Sequence, residues 1–136
     1  YEGPHTHDIP LEVILPVVLR AKPSALLIEG ANPRHEHEWE IWTRYPLPEG
    51  KVLVPGVIDT STNYVEHPEL VAQRIRRYAN NVGPDRVMAG TDCGMGSFAG
   101  FGPVHPEVVW AKLKSLTVGA ALATTRLWKH AATVSL

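Results

Sequence analysis

The sequence predicts an α/β fold: the last three strand–helix units of a (β/α) barrel. Three observations point there. Short apolar runs of the kind buried parallel strands show alternate with segments of helical spacing. An apolar stretch of helical length precedes the first run, and every run ends in a polar residue of catalytic type. Alternation of this kind implies a parallel sheet. A complete barrel takes about 250 residues, and this chain has 136. Three strands therefore make either part of a barrel or a small open sheet. The helix ahead of the first strand favours a chain that begins mid-fold.

Taken in order, Tyr1 to Pro10 is polar and reads as a loop carrying His5, His7 and Asp8. Leu11–Ala21 (LEVILPVVLRA) is helical in length, and Pro16 predicts a kink. Ser24–Ile28 (SALLI) is the first strand, broken by Glu29-Gly30-Ala31-Asn32-Pro33. Arg34–Arg44 reads as a helix with Trp39 and Trp42 on one side, and Pro46, Pro48 and Gly50 mark a turn. Lys51–Ile58 (KVLVPGVI) is the second strand, irregular at Pro55-Gly56. Pro68 suits the first position of a helix. Val71, Ile75, Tyr78 and Val82 follow at helical spacing, and Gly83-Pro84 ends the helix. Asp85–Ala89 is the third strand. Gly90–Pro103 holds five of the eleven glycines and reads as a long loop. Pro106 starts a last helix with Val109, Leu113, Leu116 and Ala120 as its inward stripe. Residues 129–136 read as a solvated tail. No repeat, low-complexity segment or linker interrupts the chain, so residues 1–136 read as one partial catalytic domain.

Composition narrows the function. Hydrophobic content of 44% supports a globular core, and the net charge of −1 gives no electrostatic reason to expect nucleic acid or an anionic membrane. No apolar run approaches the ~18 residues a membrane span needs. The start, Tyr1-Glu2-Gly3-Pro4, has no initiator Met and no signal-peptide layout. A single cysteine cannot form an internal disulfide, so a reducing compartment, the cytoplasm, is the expectation.

The polar strand ends carry the chemistry. The first strand ends in Glu29, the second in Asp59, and the third runs to Asp92-Cys93. In parallel α/β folds, ligands and catalytic groups collect at the C-terminal edge of the strands. An Asp at a strand end can also cap the next helix, and Asp59, followed by Thr60, Ser61 and Thr62, fits either role. A lone cysteine is ordinarily a small buried hydrophobe. Cys93 is a poor cap, however, and Thr91-Asp92-Cys93-Gly94 opens a glycine loop that lets other groups approach. Carboxylate and thiolate on neighbouring strands can hold zinc, which takes four ligands and, in catalytic sites, leaves one position open. Two ligands are too few. His5-x-His7 and His35-x-His37 are further candidates, although His35 to Glu38 (HEHE) also reads as a solvated helix start. For His5 and His7 a loop or substrate-contact role stands slightly ahead of metal binding.

These residues resemble a known family. Leu27-Ile28-Glu29, Val54-Pro55-Gly56-Val57-Ile58-Asp59 and Thr91-Asp92-Cys93-Gly94 are similar, in order and spacing, to the catalytic C-terminal barrel of cobalamin-independent methionine synthase and its relatives. The match spans Ser24 to Gly94. The resemblance implies the (β/α)8 TIM barrel of the methionine synthase and uroporphyrinogen decarboxylase type. It also implies zinc held by a His-x-Cys pair, a Glu and a late Cys, so that Glu29 and Cys93 are metal ligands. His5-Thr6-His7 has the spacing of the pair but lacks the cysteine, and the pair is expected just upstream of Tyr1. Ser61 stands where the synthases carry a proton-donating His, and serine cannot supply that acid near neutral pH. The stretch Glu29 to Glu38 (EGANPRHEHE) looks more like the branch containing the epoxyalkane:coenzyme M transferases.

The implied activity is zinc-dependent transfer of a methyl or alkyl group to a thiol, with a small-molecule thiol and an alkyl donor as partners. A free thiol has a pKa near 8.5, and zinc deprotonates a coordinating thiol. Cys93 is then a ligand and the substrate thiol the nucleophile. Asp59 and Asp92 hold a substrate ammonium group or orient a ligand. Three alternatives stand beside this reading. One is coenzyme M transferase-like alkylation without folate. Another is a zinc-free decarboxylase, against which Glu29 and Cys93 argue. The last is a non-catalytic barrel fragment with half a site. The first reading requires Glu29, Asp59 and Cys93 to converge at one sheet edge.

Overall fold

The computed structural model describes residues 4–96, 100, 102 and 104–133, with side chains as far as residue 129. The expectations for Tyr1 to Gly3, for 97–99, 101 and 103 of the glycine loop, and for 134–136 of the tail lie outside the described residues.

Helix α1 (Leu11–Val18) buries Leu11 and Leu15 on one side. It ends three residues earlier than expected, and the chain continues in turns closed by Arg20 N–H to Val17 and Ala21 N–H to Val18. Strands β1 (Ala25–Ile28) and β2 (Val52–Pro55) pair in parallel, from Ala25 against Val52 to Ile28 against Pro55. The predicted third strand is reduced to two parallel bridges, Leu53 to Val87 and Gly56 to Gly90. Its backbone still follows β2. Met88 and Gly90 donate to Leu53 and Pro55, and Asp92 donates to Ile58 at 3.0 Å. Pro55 has no N–H to give, so the ladder is gapped on that edge. The order across the sheet is β1, β2, then residues 87–92.

The segment after β1 forms a 3₁₀ helix, Glu36–Thr43, in place of the predicted α-helix. With three residues per turn, side chains three apart eclipse one another. His35, Glu38 and Ile41 therefore share a face, and Glu38 is drawn inward to accept the N–H of Leu11 at 2.7 Å. Helix α2 (Pro68–Val82) follows the expectation closely. Pro68 stands in its first turn, His67 accepts the N–H of Glu69, and Gly83 leaves the helix at φ 98°, a conformation only glycine adopts cheaply. Val71, Ile75, Tyr78 and Val82 are all buried.

Helix α3 (Pro106–Thr133) corrects two expectations. It continues to Thr133, through residues read as tail. Its most buried stripe is Lys112, Ser115, Gly119 and Ala123, with the predicted Val109, Leu113, Leu116 and Ala120 only half-buried beside it. Gly119 permits the close crossing: a Cβ there would lie 2.5 Å from the side chain of Val71.

The core has two parts. Leu11, Leu15, Leu26, Trp42, Leu53 and Tyr78 pack under β1, and Val57, Ile58, Val71, Ile75 and Ala123 pack between α2 and α3. Leu53 on β2 is fully buried, and cutting such a leucine to alanine costs about 2–5 kcal/mol. This rigid floor fixes the loops beyond the strand ends.

Candidate metal and thiol site

Three loops leave the C-terminal ends of the sheet together, and one carboxylate ties two of them. Asp92 accepts N–H groups from Gly30 and Ala31 on one oxygen and from Asn32 on the other, each at 2.9 Å. Asn32 Nδ2 adds a fourth bond at 2.9 Å. Burial pushes the Asp92 carboxyl above its ordinary range, and these donors pull it back. Both oxygens are thus spent on the loop after β1. Gly56 lets Asp92 sit there, because a Cβ on Gly56 would collide with its carboxylate and backbone. The hydroxyl of Tyr78, buried without a hydrogen-bond partner among the described residues, lies under Gly30, and burial raises its pKa.

The loop held by Asp92 presents Glu29 to Cys93. The thiol donates to Glu29 Oε1 at 3.6 Å across a separation of 64 residues, and both side chains are exposed. Partial desolvation by its neighbours and the adjacent Glu29 charge raise the Cys93 pKa. The other oxygen of Glu29, Oε2, accepts Asn32 Nδ2 at 2.8 Å. His35 Nε2 lies 3.8 Å from the same oxygen. The far side of that ring, Nδ1, lies 2.8 Å from Glu38 Oε2.

Asp59 takes a different place. It is 9% exposed. Its Oδ1 accepts both the N–H and the hydroxyl of Ser61, each at 2.8 Å. Its backbone is gripped from below, where the N–H donates to Glu66 Oε1 at 2.8 Å and the carbonyl accepts from Lys112 Nζ at 2.9 Å. Lys112 and Glu66 form an ion pair at 3.0 Å, with side-chain exposures of 0% and 8%. Because Asp92 follows Ile58 in the sheet register, Asp59 stands at the same edge as Asp92 and Cys93.

The remaining histidines differ among themselves. His5 Nδ1 lies 2.9 Å from Asp8, and Asp8 accepts Arg34 Nε at 2.8 Å. The hydrogen bonds from His5 and Arg34 hold the Asp8 carboxyl down to about 2. The N-terminal loop is thereby fastened to the loop that carries Glu29. His7 Nδ1 pairs with Thr6 Oγ1 at 2.7 Å. His37 is exposed, on the side of the 3₁₀ helix away from His35 and Glu38.

Sequence reasoning missed Asn32, Glu38, Glu66 and Lys112. Asn32 carried a readable signal, since Asn-Pro three residues after a strand-end carboxylate marks a turn whose amide can reach back. The other three are charged residues turned inward, which hydrophobic spacing cannot reveal.

The donor set fits zinc as half of a site. Zinc–sulfur and zinc–oxygen bonds of about 2.3 and 2.0–2.2 Å at a tetrahedral angle put the two ligand atoms about 3.5–3.7 Å apart. The observed Cys93 to Glu29 separation is 3.6 Å. Among the described residues, no cluster of three or more His, Cys, Asp or Glu side chains is arranged to hold a metal alone. Also among the described residues, no helix is long and apolar enough to cross a membrane.

No protein-family model matches the chain. A curated relative, a 2-hydroxypropyl-CoM lyase from Xanthobacter autotrophicus, is 32% identical over 84 residues, which is 60% of this chain and 22% of that protein. Among solved structures, a B12-independent methionine synthase from a Shewanella species, in complex with selenomethionine, superposes with a TM-score of 0.71. It is 26% identical, over 87% of this chain and 31% of that one. The chain resembles both enzymes. It spans about a fifth to a third of their length, and its fold is consistent with part of the synthase's barrel. The comparisons point to methionine synthase-like and CoM lyase-like enzymes in general.

Proposed function

We propose that the intact protein transfers a methyl or alkyl group to a small-molecule thiol, with zinc bound by Glu29, Cys93 and further ligands. The observation that carries the reading is the 3.6 Å approach of Cys93 Sγ to Glu29 Oε1, the spacing of two ligands on one tetrahedral ion. When bound, zinc supplies a positive centre that holds a substrate thiol as its thiolate at neutral pH. The chain's own residues do the rest. Cys93 and Glu29 provide one soft and one hard donor. Asp92 keeps the Glu29 loop closed against the sheet edge. Asp59, with Oδ1 committed to Ser61, orients the loop beyond β2 and faces the same edge.

Ser61 favours folate-independent alkylation over methionine synthesis. Its hydroxyl proton is given to Asp59, so it offers no acid to a departing tertiary amine. General acid catalysis contributes about 10²–10⁴-fold, and its loss is felt most where the leaving group is poorest. The resemblance to a 2-hydroxypropyl-CoM lyase supports the same branch.

The test supplies the intact protein with zinc and two substrate pairs: coenzyme M with a short epoxide, and homocysteine with methyltetrahydrofolate. The expected outcome is thioether from the first pair and no useful methionine from the second. Methionine formed at about 1 per second or faster, an ordinary enzyme rate, would show that Ser61 is no obstacle and would place the protein with the synthases.

A further inference from the structure

The two oxygens of Glu29 stand in unlike surroundings. Oε1 faces only the Cys93 thiol among the described contacts. Oε2 accepts the Asn32 amide at 2.8 Å and lies 3.8 Å from His35 Nε2. The Asn32 side chain is itself fixed. Nδ2 also donates to Asp92 Oδ2 at 2.9 Å, and Oδ1 accepts Arg34 N–H at 3.0 Å. The His35 ring is fixed from behind by Glu38, a 6% exposed carboxylate already anchored on Leu11 N–H. A carboxylate only accepts, so Nδ1 donates to it, and Nε2 faces Glu29 from 3.8 Å, too far for a hydrogen bond. Asn32 is therefore the side chain that holds Oε2.

We infer that Asn32 is a positioning residue that occupies Oε2 of Glu29, so that Glu29 offers a single oxygen, Oε1, on the Cys93 side. This deepens the zinc reading above and rests on it. A carboxylate free to swing would chelate with both oxygens or turn into solvent. Pinning one oxygen fixes both the direction and the number of donor atoms. Side chains that orient a metal's ligands are worth about 10–100-fold in metal affinity. Asn32 is held in place for this by Asp92 and by the N–H groups of His35 and Glu36, which donate to its carbonyl at 3.1 and 2.9 Å.

The experiment measures zinc affinity of the intact protein by competition with a chromophoric chelator. The variants are Asn32→Ala, Glu29→Gln and the two combined. Alone, Asn32→Ala is expected to weaken zinc about 10–100-fold. In the Glu29→Gln background, where there is no carboxylate to aim, Asn32→Ala should weaken zinc no further. A merely structural role would cost the same in both backgrounds, and that result overturns the proposal, as does wild-type affinity in Asn32→Ala. If the wild type binds no zinc, the metal reading itself fails. If Glu29→Gln lowers affinity while Asn32→Ala does not, only the present inference fails.

Discussion

Two polar clusters stand at the C-terminal edge of the sheet, and they are built in opposite ways. Under Asp59, Lys112 and Glu66 are buried, paired, and bonded to the backbone of the loop they support. At Glu29 and Cys93 the side chains are exposed and meet at a long sulfur contact. The first cluster is closed. Charge taken out of water is tolerated only when it is paired and hydrogen-bonded, and here it is. The second is open, with a thiol and a carboxylate oxygen facing each other, while everything behind them, from Asn32 to Asp92 to Glu38, is fastened. Rigid support behind exposed donors is what a binding site needs. Full mutual satisfaction is what a structural network needs.

The largest effect should come from breaking the closed cluster. Lys112→Ala leaves Glu66 buried without its cation, and losses of about 3–5 kcal/mol are typical of such a change. The unfolding midpoint of the intact protein should fall steeply. The double change Lys112→Met with Glu66→Gln removes both charges and should recover part of it. An unchanged midpoint for Lys112→Ala would mean that the pair is not sealed from water.

A smaller effect is expected where the two clusters join. In Asp92→Asn, one oxygen still accepts Gly30 and Ala31, but the amide that replaces the other oxygen faces the donors of Asn32. An unsatisfied buried donor costs about 1–3 kcal/mol. Both stability and zinc affinity should drop, since the loop that presents Glu29 is loosened. Loss of stability with zinc affinity intact would separate Asp92 from the site.

The smallest effect belongs to the exposed surface. Arg126 and Glu69 form a two-pronged pair at 2.7 Å between α3 and α2. Arg126 holds the Glu69 carboxyl below its ordinary 4.5. The stabilisation is therefore present at neutral pH and lost as pH falls through the carboxylate range. Being solvated, the pair is screened by salt. Arg126→Ala should lower the midpoint slightly at neutral pH and low salt, and not at all at high salt or in acid. A large loss at all pH values would show that the arginine stem, not its charge, matters.

How much of this was legible in the sequence follows from the same contrast. Helix α2 could be read because apolar spacing, an opening proline and a closing glycine agree. Glu29 and Cys93 could be read because they end runs of buried strand, and the structure brings them together. The third strand is shorter than its apolar run predicts, since Pro55, the irregular point of the second run, has no N–H to give it. The inward stripe of α3 was misplaced by one face because Lys112 and Ser115 look like solvent residues until Glu66 is known to lie opposite. Local pattern reports hydrophobic burial. It is silent on charges whose partners lie 46 residues away, as Lys112 and Glu66 do.

The central claim, that Glu29 and Cys93 are halves of one metal site, is tested most directly by metal analysis of the intact protein against its Cys93→Ser variant. Serine is a poor replacement for thiolate toward zinc, and Cys93 is exposed, so the fold should survive the change. The account predicts zinc bound to the wild type and largely lost from a variant with the same unfolding midpoint in the presence of chelator. Equal zinc in the two proteins would contradict it and remove Cys93 from the site.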